Sequence, residues 1–409
     1  MTMGHEFQLA RSARNRSGKH ARDARAGVEQ AFYPSGARME ESIQNITKSL
    51  KACLGVPHDQ ARSMPAEFYT SSAFLEIEKD SLFRRQWVCL GRSHQVSQPG
   101  DYFTTEVVGE PLIVVRSHEN KIKILSNVCR HRGAILVEGA GNKKTFVCPY
   151  HAWSFDTEGQ LKGAPQIGDR QDFVHKECRL PRFACEVWEG FIYVNLDNTA
   201  PPLGLQLTDL STLIKNYHMD EMVELHGQET VWETNWKCLV ENFMEGYHLS
   251  TVHQKTLHPF TPTRLCRHYP AGEGYFGYFA VFPDEVGQRG AYHPDLNPEE
   301  RQRSVMFAVP PGHVGSVTGH IVTYLYLQPT TADKVKVKRG IAFLDQEISE
   351  SDCQAAVDLF ERTMAEDKQQ LESLQRGLKS KNVQTAPLAP ADYEGNVWDF
   401  YQYLARKLL

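Results

Sequence analysis

The 409-residue sequence contains no apolar run that approaches the ~20 residues of a membrane span, and its N-terminus lacks the charged-then-apolar pattern of a secretory signal. Strong charge of one sign is missing too. The net charge of −5 gives no broad basic field to attract nucleic acid or an anionic membrane. The nine cysteines are odd in number and scattered, so they do not form the framework of a disulfide-stapled secreted domain. Nor is there an internal repeat. These absences lead to the expectation of a soluble, cytoplasmic protein with neither membrane nor nucleic acid among its partners.

What is present is an ordinary globular composition, 41% hydrophobic and 23% charged, long enough for two domains at ~150 residues each. Residues 1–38 carry seven Lys/Arg against three acids and little hydrophobic periodicity, which reads as a basic tail. An Arg-rich organelle transit segment is the alternative. Order is expected from about residue 64, with a helix over about 71–85 where Phe74, Ile77, Leu82 and Phe83 recur at helical spacing. From 87 to 198, short β-rich runs (PLIVVR, KIKILS, TFVCPY, GFIYVNL) separated by turn residues predict a small all-β domain. TAPPLG at 199–204 reads as a linker. Beyond it, GYFGYFAVF, HIVTYLYLQP and VKVKRGIAFL read as strands, and a helix from about Ser349 to Leu374 is expected to cap at Gly377. The division is thus a largely flexible tail over 1–63, a β domain with its preceding helix over 64–198, and a mixed domain over 199–409.

Two clusters carry chemistry. In the first, Cys129-x-His131 is followed, after sixteen residues, by Cys148-x-x-His151. A zinc finger pairs Cys with Cys and His with His, whereas here each loop supplies one of each. One metal ion can take both thiolates and a second both imidazoles, the ligand set of a Rieske [2Fe–2S] centre. Zinc, or four residues merely packed together, are the alternatives. The second cluster lies in ENFMEGYHLSTVH at 241–253, where His248 and His253 with one carboxylate would make an open-sided 2-His-1-carboxylate site for Fe(II). Residues five apart on an ideal helix diverge by about 140°, so the helix must bulge or end between them. The carboxylate is sought by periodicity. Asp367 falls on the stripe of Phe360, Met364, Leu371 and Leu374, where a carboxylate is costly unless paired or metal-bound. Pairing with a buried Arg is the plain alternative. Glu366 lies off the stripe and reads as solvated.

CRHRG and CPYHAWSFDTEGQL resemble the Rieske domain of Rieske non-haem iron oxygenases, and EDKQQLESLQRGL resembles the segment carrying that family's iron-bound aspartate. The resemblance spans roughly residues 65–380. It implies an α+β chain, with an N-terminal all-β Rieske domain and a C-terminal catalytic domain whose antiparallel sheet is flanked by helices in a helix-grip (START-like) arrangement. Its cofactors would be a [2Fe–2S] cluster on Cys129, His131, Cys148 and His151 and a mononuclear Fe(II) on His248, His253 and Asp367. Electrons would come from NAD(P)H through a separate reductase, with or without a ferredoxin. Asn242, Glu245, Tyr247 and His248 match the pattern N-x-x-E-x-Y-H. By resemblance, Glu245 links the iron of one subunit to His151 of the partner subunit within a homotrimer. The Glu in place of an Asp is similar to members acting on choline, glycine betaine, carnitine and stachydrine. That implies hydroxylation at or beside an N-methyl group. Tyr275, Phe276, Tyr278 and Phe279 are candidates for an aromatic cage around the ammonium group, with Tyr247 a further pocket residue. The rivals are mono- or dihydroxylation of an aromatic acid, and a non-catalytic electron carrier that leaves the second cluster unexplained.

Overall fold

The computed structural model describes residues 36–168, 170, 172–284, 292–344 and 349–409. The β-branched and aromatic runs of the first half pair antiparallel into a seven-stranded sheet. Its spatial order is Val88–Arg92, Phe191–Asn195, Arg182–Trp188, Ile122–Ser126, Glu110–Arg116, Asp101–Val107, Ala140–Asn142. Alternation along these strands divides the side chains. Ile113, Val115 and Leu125 pack with Phe146, Phe155 and Leu180 around a separate three-stranded sheet, Thr145–Val147, Ser154–Asp156 and Leu161–Gly163. Leu112, Val114, Ile124, Ile192 and Val194 face the other way into the main core.

The second half is built on another seven-stranded sheet, again antiparallel throughout. Six strands follow one another as a meander from Cys266–Tyr269 to Lys334–Phe343, and Val223–Trp232 returns to pair with the last. Helices Trp236–Met244, Glu350–Gly377 and Ala391–Leu408 pack against it. Phe276, Tyr278 and Ala280 share a core with these helices. Tyr275, Phe307 and Tyr324 project to the opposite face, where they meet Trp188, Phe191 and Tyr193 of the first half. The sheet is therefore buried on both sides and joins the two halves, giving the expected α+β architecture. No helix among the described residues is long and apolar enough to cross a membrane.

Some expectations change. Residues 1–35 lie outside the described residues, but order begins well before 64. A helix spans Gly36–Cys53, because Ile46, Leu50 and Cys53 form a helical stripe that packs against the C-terminal helix. Near 71–85 the α-helix covers only Ser72–Glu78 and relaxes into a wider turn over Lys79–Phe83. The helix expected to stop before Gly377 continues through it and caps at Leu378 in right-handed backbone. Leu374 faces solvent, and Gln375 takes the buried position at the end of that stripe.

A buried ion pair ties the halves together. Lys237 Nζ lies 2.5 Å from Glu78 Oε1, with both side chains essentially inaccessible. Trp236 donates to the other oxygen at 3.0 Å, and the Phe68 ring faces the ammonium at 4.5 Å. Burial pushes the Glu78 carboxyl pKa up, against the opposing pull of Lys237. Removing one partner leaves an uncompensated charge. Lys237→Ala is expected to cost about 3–5 kcal/mol in guanidinium denaturation, and the double replacement Glu78→Leu/Lys237→Met to recover most of it.

Candidate functional site

Helix Trp236–Met244 begins at Asn235, whose side chain accepts the Lys237 N–H at 3.0 Å. It ends abruptly. Glu245 is extended (φ −117°, ψ 144°), and Gly246 is pressed so close to the next strand that an added Cβ would sit 2.3 Å from Cys266 Sγ. A single helical turn, Leu249–Val252, follows, with His248 at its start and His253 at its end. The irregularity required by five-residue spacing is therefore a helix that stops and restarts, so Glu245 reaches His248 from a loop and not from a shared helix face.

The geometry fixes both imidazoles in one tautomer. His248 donates from Nδ1 to Glu245 Oε1 at 2.5 Å, and the same carboxylate accepts the backbone N–H groups of Tyr247 and His248. His253 donates from Nδ1 to Glu366 Oε2 at 2.7 Å, which also accepts from Thr256 Oγ1 at 2.6 Å. Both Nε2 atoms are left with lone pairs. They lie 3.6 Å (His248) and 3.0 Å (His253) from Asp367 Oδ1, and one donor atom from each of the three residues falls within 4.8 Å of the others. His253 Nε2 and Asp367 Oδ1 are buried, yet not aligned to hydrogen-bond each other or anything else. Three ligand atoms aimed at a common point, two of them otherwise orphaned, fit one metal ion. Burial opposes the charged form of His248, but Glu245 and then Asp367 outweigh it and raise its pKa. At His253, Asp367 and then Glu366 overcome burial in the same way.

Glu366 was expected to be solvated. It points instead at His253, because the helix end at Val252 swings that imidazole round to meet it. No Arg pairs with Asp367 among the described residues: of the buried ones, Arg339 pairs with Glu361 at 2.6 Å and Arg92 donates to the backbone carbonyls of Glu189, Met219 and Met222.

The first cluster sits on two matching loops. In each, the backbone N–H four residues after the cysteine donates to its carbonyl, Gly133 to Cys129 at 3.1 Å and Ala152 to Cys148 at 3.0 Å. Both closing residues have positive φ, 75° and 56°. The cysteines are buried, while His131 and His151 stand at the surface with their Nδ1 atoms 3.1 Å apart. Burial, with the adjacent Cys148 thiol adding to it, raises the Cys129 thiol pKa. Two facing nitrogen acceptors beside two facing sulfurs match a diiron cluster held by thiolates within and imidazoles without. Trp153 stacks under the His131 ring at 4.9 Å.

A cavity of about 360 Å³ opens between the sheet and helix Glu350–Gly377. It reaches Leu249, beside His248, and Thr363 and Met364, one turn before Asp367. Phe243, Phe260, Tyr278, Phe282, Tyr292 and Phe360 give it aromatic walls. Of the four residues considered for a cage, only Tyr278 lines it. Strand alternation sends Tyr275 to the opposite core and Phe279 against Tyr269, while Phe276 packs on Phe400. Tyr247 is exposed and stacks over Tyr393. The walls Phe243, Phe260, Tyr292 and Phe360 were not read from the sequence, since they come from four separate segments.

Two family profiles match in succession: Rieske [2Fe-2S] domain over residues 86–182, and ring hydroxylating alpha subunit (catalytic domain) over 214–409. The carnitine monooxygenase oxygenase subunit of Acinetobacter baumannii is 29% identical over 343 residues, covering 79% of this chain and 87% of that protein. The chloroplastic choline monooxygenase of Spinacia oleracea is 32% identical over 205 residues, 49% of this chain and 47% of its own. In fold, the chain is similar to a quaternary ammonium Rieske monooxygenase solved with L-carnitine. The TM-score is 0.76 at 24% identity, covering 87% of this chain and 98% of that one.

Glu366→Gln keeps a hydrogen-bonding side chain beside His253 but removes its charge. Retention of the mononuclear metal is expected to fall about 10–100-fold, with the visible absorbance of the Cys129/Cys148 cluster unchanged. Iron analysis after dialysis against a graded chelator measures both.

Proposed function

The chain belongs to the Rieske ring-hydroxylating oxygenases, and on that premise we propose that it is the terminal oxygenase of a quaternary ammonium monooxygenase system. A reductase supplies electrons from NAD(P)H, and the substrate is hydroxylated at an N-methyl group or the carbon beside the nitrogen. The new C–O bond makes a carbinolamine, which collapses by breaking its C–N bond to give an amine and formaldehyde or another aldehyde. The second oxygen atom of O2 leaves as water, with two electrons drawn from the reductase. The observation that carries this reading is the convergence of His248, His253 and Asp367 beside an aromatic-walled cavity, in a chain that also presents the Cys129/His131/Cys148/His151 set.

When bound, the [2Fe–2S] cluster supplies single electrons and the ferrous ion supplies dioxygen activation. The polypeptide contributes ligands and placement. Cys129 and Cys148 would hold one iron of the cluster, and His131 and His151 the other. His248 and His253, each fixed by a carboxylate at Nδ1, would hold the catalytic ion through Nε2 together with Asp367. Glu245 does more than orient His248. His131 and His151 stand at the surface, where a neighbouring subunit can reach them, so Glu245 is suited to accept a hydrogen bond from His151 of the partner subunit in a homotrimer. The walls, Tyr278 and Phe360 among them, exclude water and offer ring faces to a cation. A carrier of electrons alone would have no use for this second centre.

With its reductase, the protein is expected to couple dioxygen uptake to formaldehyde or aldehyde release on a betaine or choline-type compound. Uptake driven only by aromatic acids would replace this substrate class with the rival one. Glu245→Gln should keep both metals and slow single-turnover electron transfer; an unchanged rate removes the bridge. Tyr278→Leu is expected to raise KM for a quaternary ammonium substrate about fivefold, as loss of roughly 1 kcal/mol of cation–π attraction requires. An uncharged isostere should be affected less.

A further inference from the structure

A second group of two histidines and a carboxylate lies apart from both centres. His218 occupies left-handed backbone (φ 50°, ψ 50°) between the short turns Lys215–Tyr217 and Met219–Glu221. Its two ring nitrogens both face acids: Nδ1 is 3.2 Å from Glu221 Oε1, and Nε2 is 2.9 Å from Asp295 Oδ2. The His293 ring stacks on it with centroids 3.8 Å apart, and His293 Nδ1 lies 3.6 Å from the same Asp295 oxygen. One donor atom from each of His218, His293 and Asp295 falls within 4.8 Å of the other two.

A neutral imidazole donates from only one nitrogen. His218 Nε2 donates to Asp295 Oδ2 at 2.9 Å, while Nδ1 stands 3.2 Å from Glu221 Oε1. A cation that takes the place of this Nε2 proton leaves the ring proton on Nδ1, where Glu221 can accept its hydrogen bond. A carboxylate beside Nδ1 is the usual buttress of a metal-bound imidazole, and Glu221 is placed to hold the tautomer that presents Nε2 to an ion. We propose that His218, His293 and Asp295 form a third metal site, one for a divalent cation of the zinc class. Two imidazoles and one carboxylate are a zinc ligand set. Bonds of about 2.0–2.1 Å in tetrahedral array set ligand atoms about 3.4 Å apart, and the 2.9 and 3.6 Å separations bracket that spacing. The ion displaces two contacts, the 2.9 Å bond between His218 Nε2 and Asp295 Oδ2 and the 3.2 Å bond from the Asp295 backbone N–H to His293 Nδ1.

The position gives the site a consequence. His293 follows Tyr292, a wall of the cavity, whereas His218 follows Tyr217, which is fully buried beneath the sheet. A bound ion cross-links the two segments and holds the Tyr292 stretch against the body of the protein. The site is therefore a structural staple for the cavity wall. It is independent of the substrate proposed above.

The mononuclear centre also accepts zinc, so the test uses the His248→Ala chain with its Rieske cluster intact. Calorimetric titration with Zn²⁺, and elemental analysis after gel filtration, should find about one zinc per chain. Asp295→Asn and His293→Gln in that background should each weaken binding at least tenfold. Asp295 is 58% exposed, so its replacement leaves the fold intact, and unchanged cluster absorbance verifies this. In the iron-loaded wild-type protein, Zn²⁺ should slow amide exchange across residues 292–297, and Asp295→Asn should abolish that protection. Absence of stoichiometric zinc, equal uptake by the variants, or protection that persists in Asp295→Asn overturns the site.

Discussion

A carboxylate held out of water, with no Lys or Arg paired to it among the described residues, is the constraint around which the C-terminal half is arranged. Asp367 is 5% exposed, and its neighbours across the gap are two imidazole lone pairs. Such a group is tolerated only if something positive completes it. Each element nearby serves that geometry. The helix carrying Asp367 is pinned along its length, by Glu361 to Arg339 and His226, by Glu372 to the backbone of Glu233, and by Gln375 to the backbone of Asn235. The last two contacts anchor it at the segment from which helix Trp236–Met244 starts, the helix that leads into His248. Ligands from sites more than a hundred residues apart thereby share one frame.

The two proposed metal centres face opposite problems of access. At Cys129 and Cys148 the sulfurs are inside and the imidazoles are at the surface, which lets a cluster be shielded on its thiolate side and approached on its histidine side. At His248 and His253 the ligands are enclosed, and the approach is through the cavity. An exposed donor and an enclosed acceptor fit a division of work in which electrons arrive from outside and substrate from within.

Legibility in the sequence followed how local each signal was. The Cys/His pairs, the His248/His253 pair and Asp367 stand out because short spacing and helical periodicity place unusual groups where apolar ones belong. The need for a break between His248 and His253 followed from 3.6-residue geometry alone, but its form did not. Met244 ends the helix because Gly246 must pass against Cys266, a contact with a strand some twenty residues on. Glu366 was misread for a related reason. Helical phase says which way a side chain points, not what another segment brings to meet it. The aromatic cage failed on a rule that the sequence did contain: two adjacent pairs along a strand, 275/276 and 278/279, cannot all face one side. The helix at Gly36–Cys53 was hidden by the basic composition preceding it, although Ile46, Leu50 and Cys53 carry a legible stripe.

That same two-sided sheet has an evolutionary corollary. Along Phe276–Val281 the even-numbered side chains belong to the helix-covered core and include the cavity's Tyr278 and Ala280, while Phe279 turns to the packing between the halves. Natural variation can therefore remodel what the enzyme accepts by changing every second codon of a strand. The intervening codons, which hold the redox module in place, need not change with them.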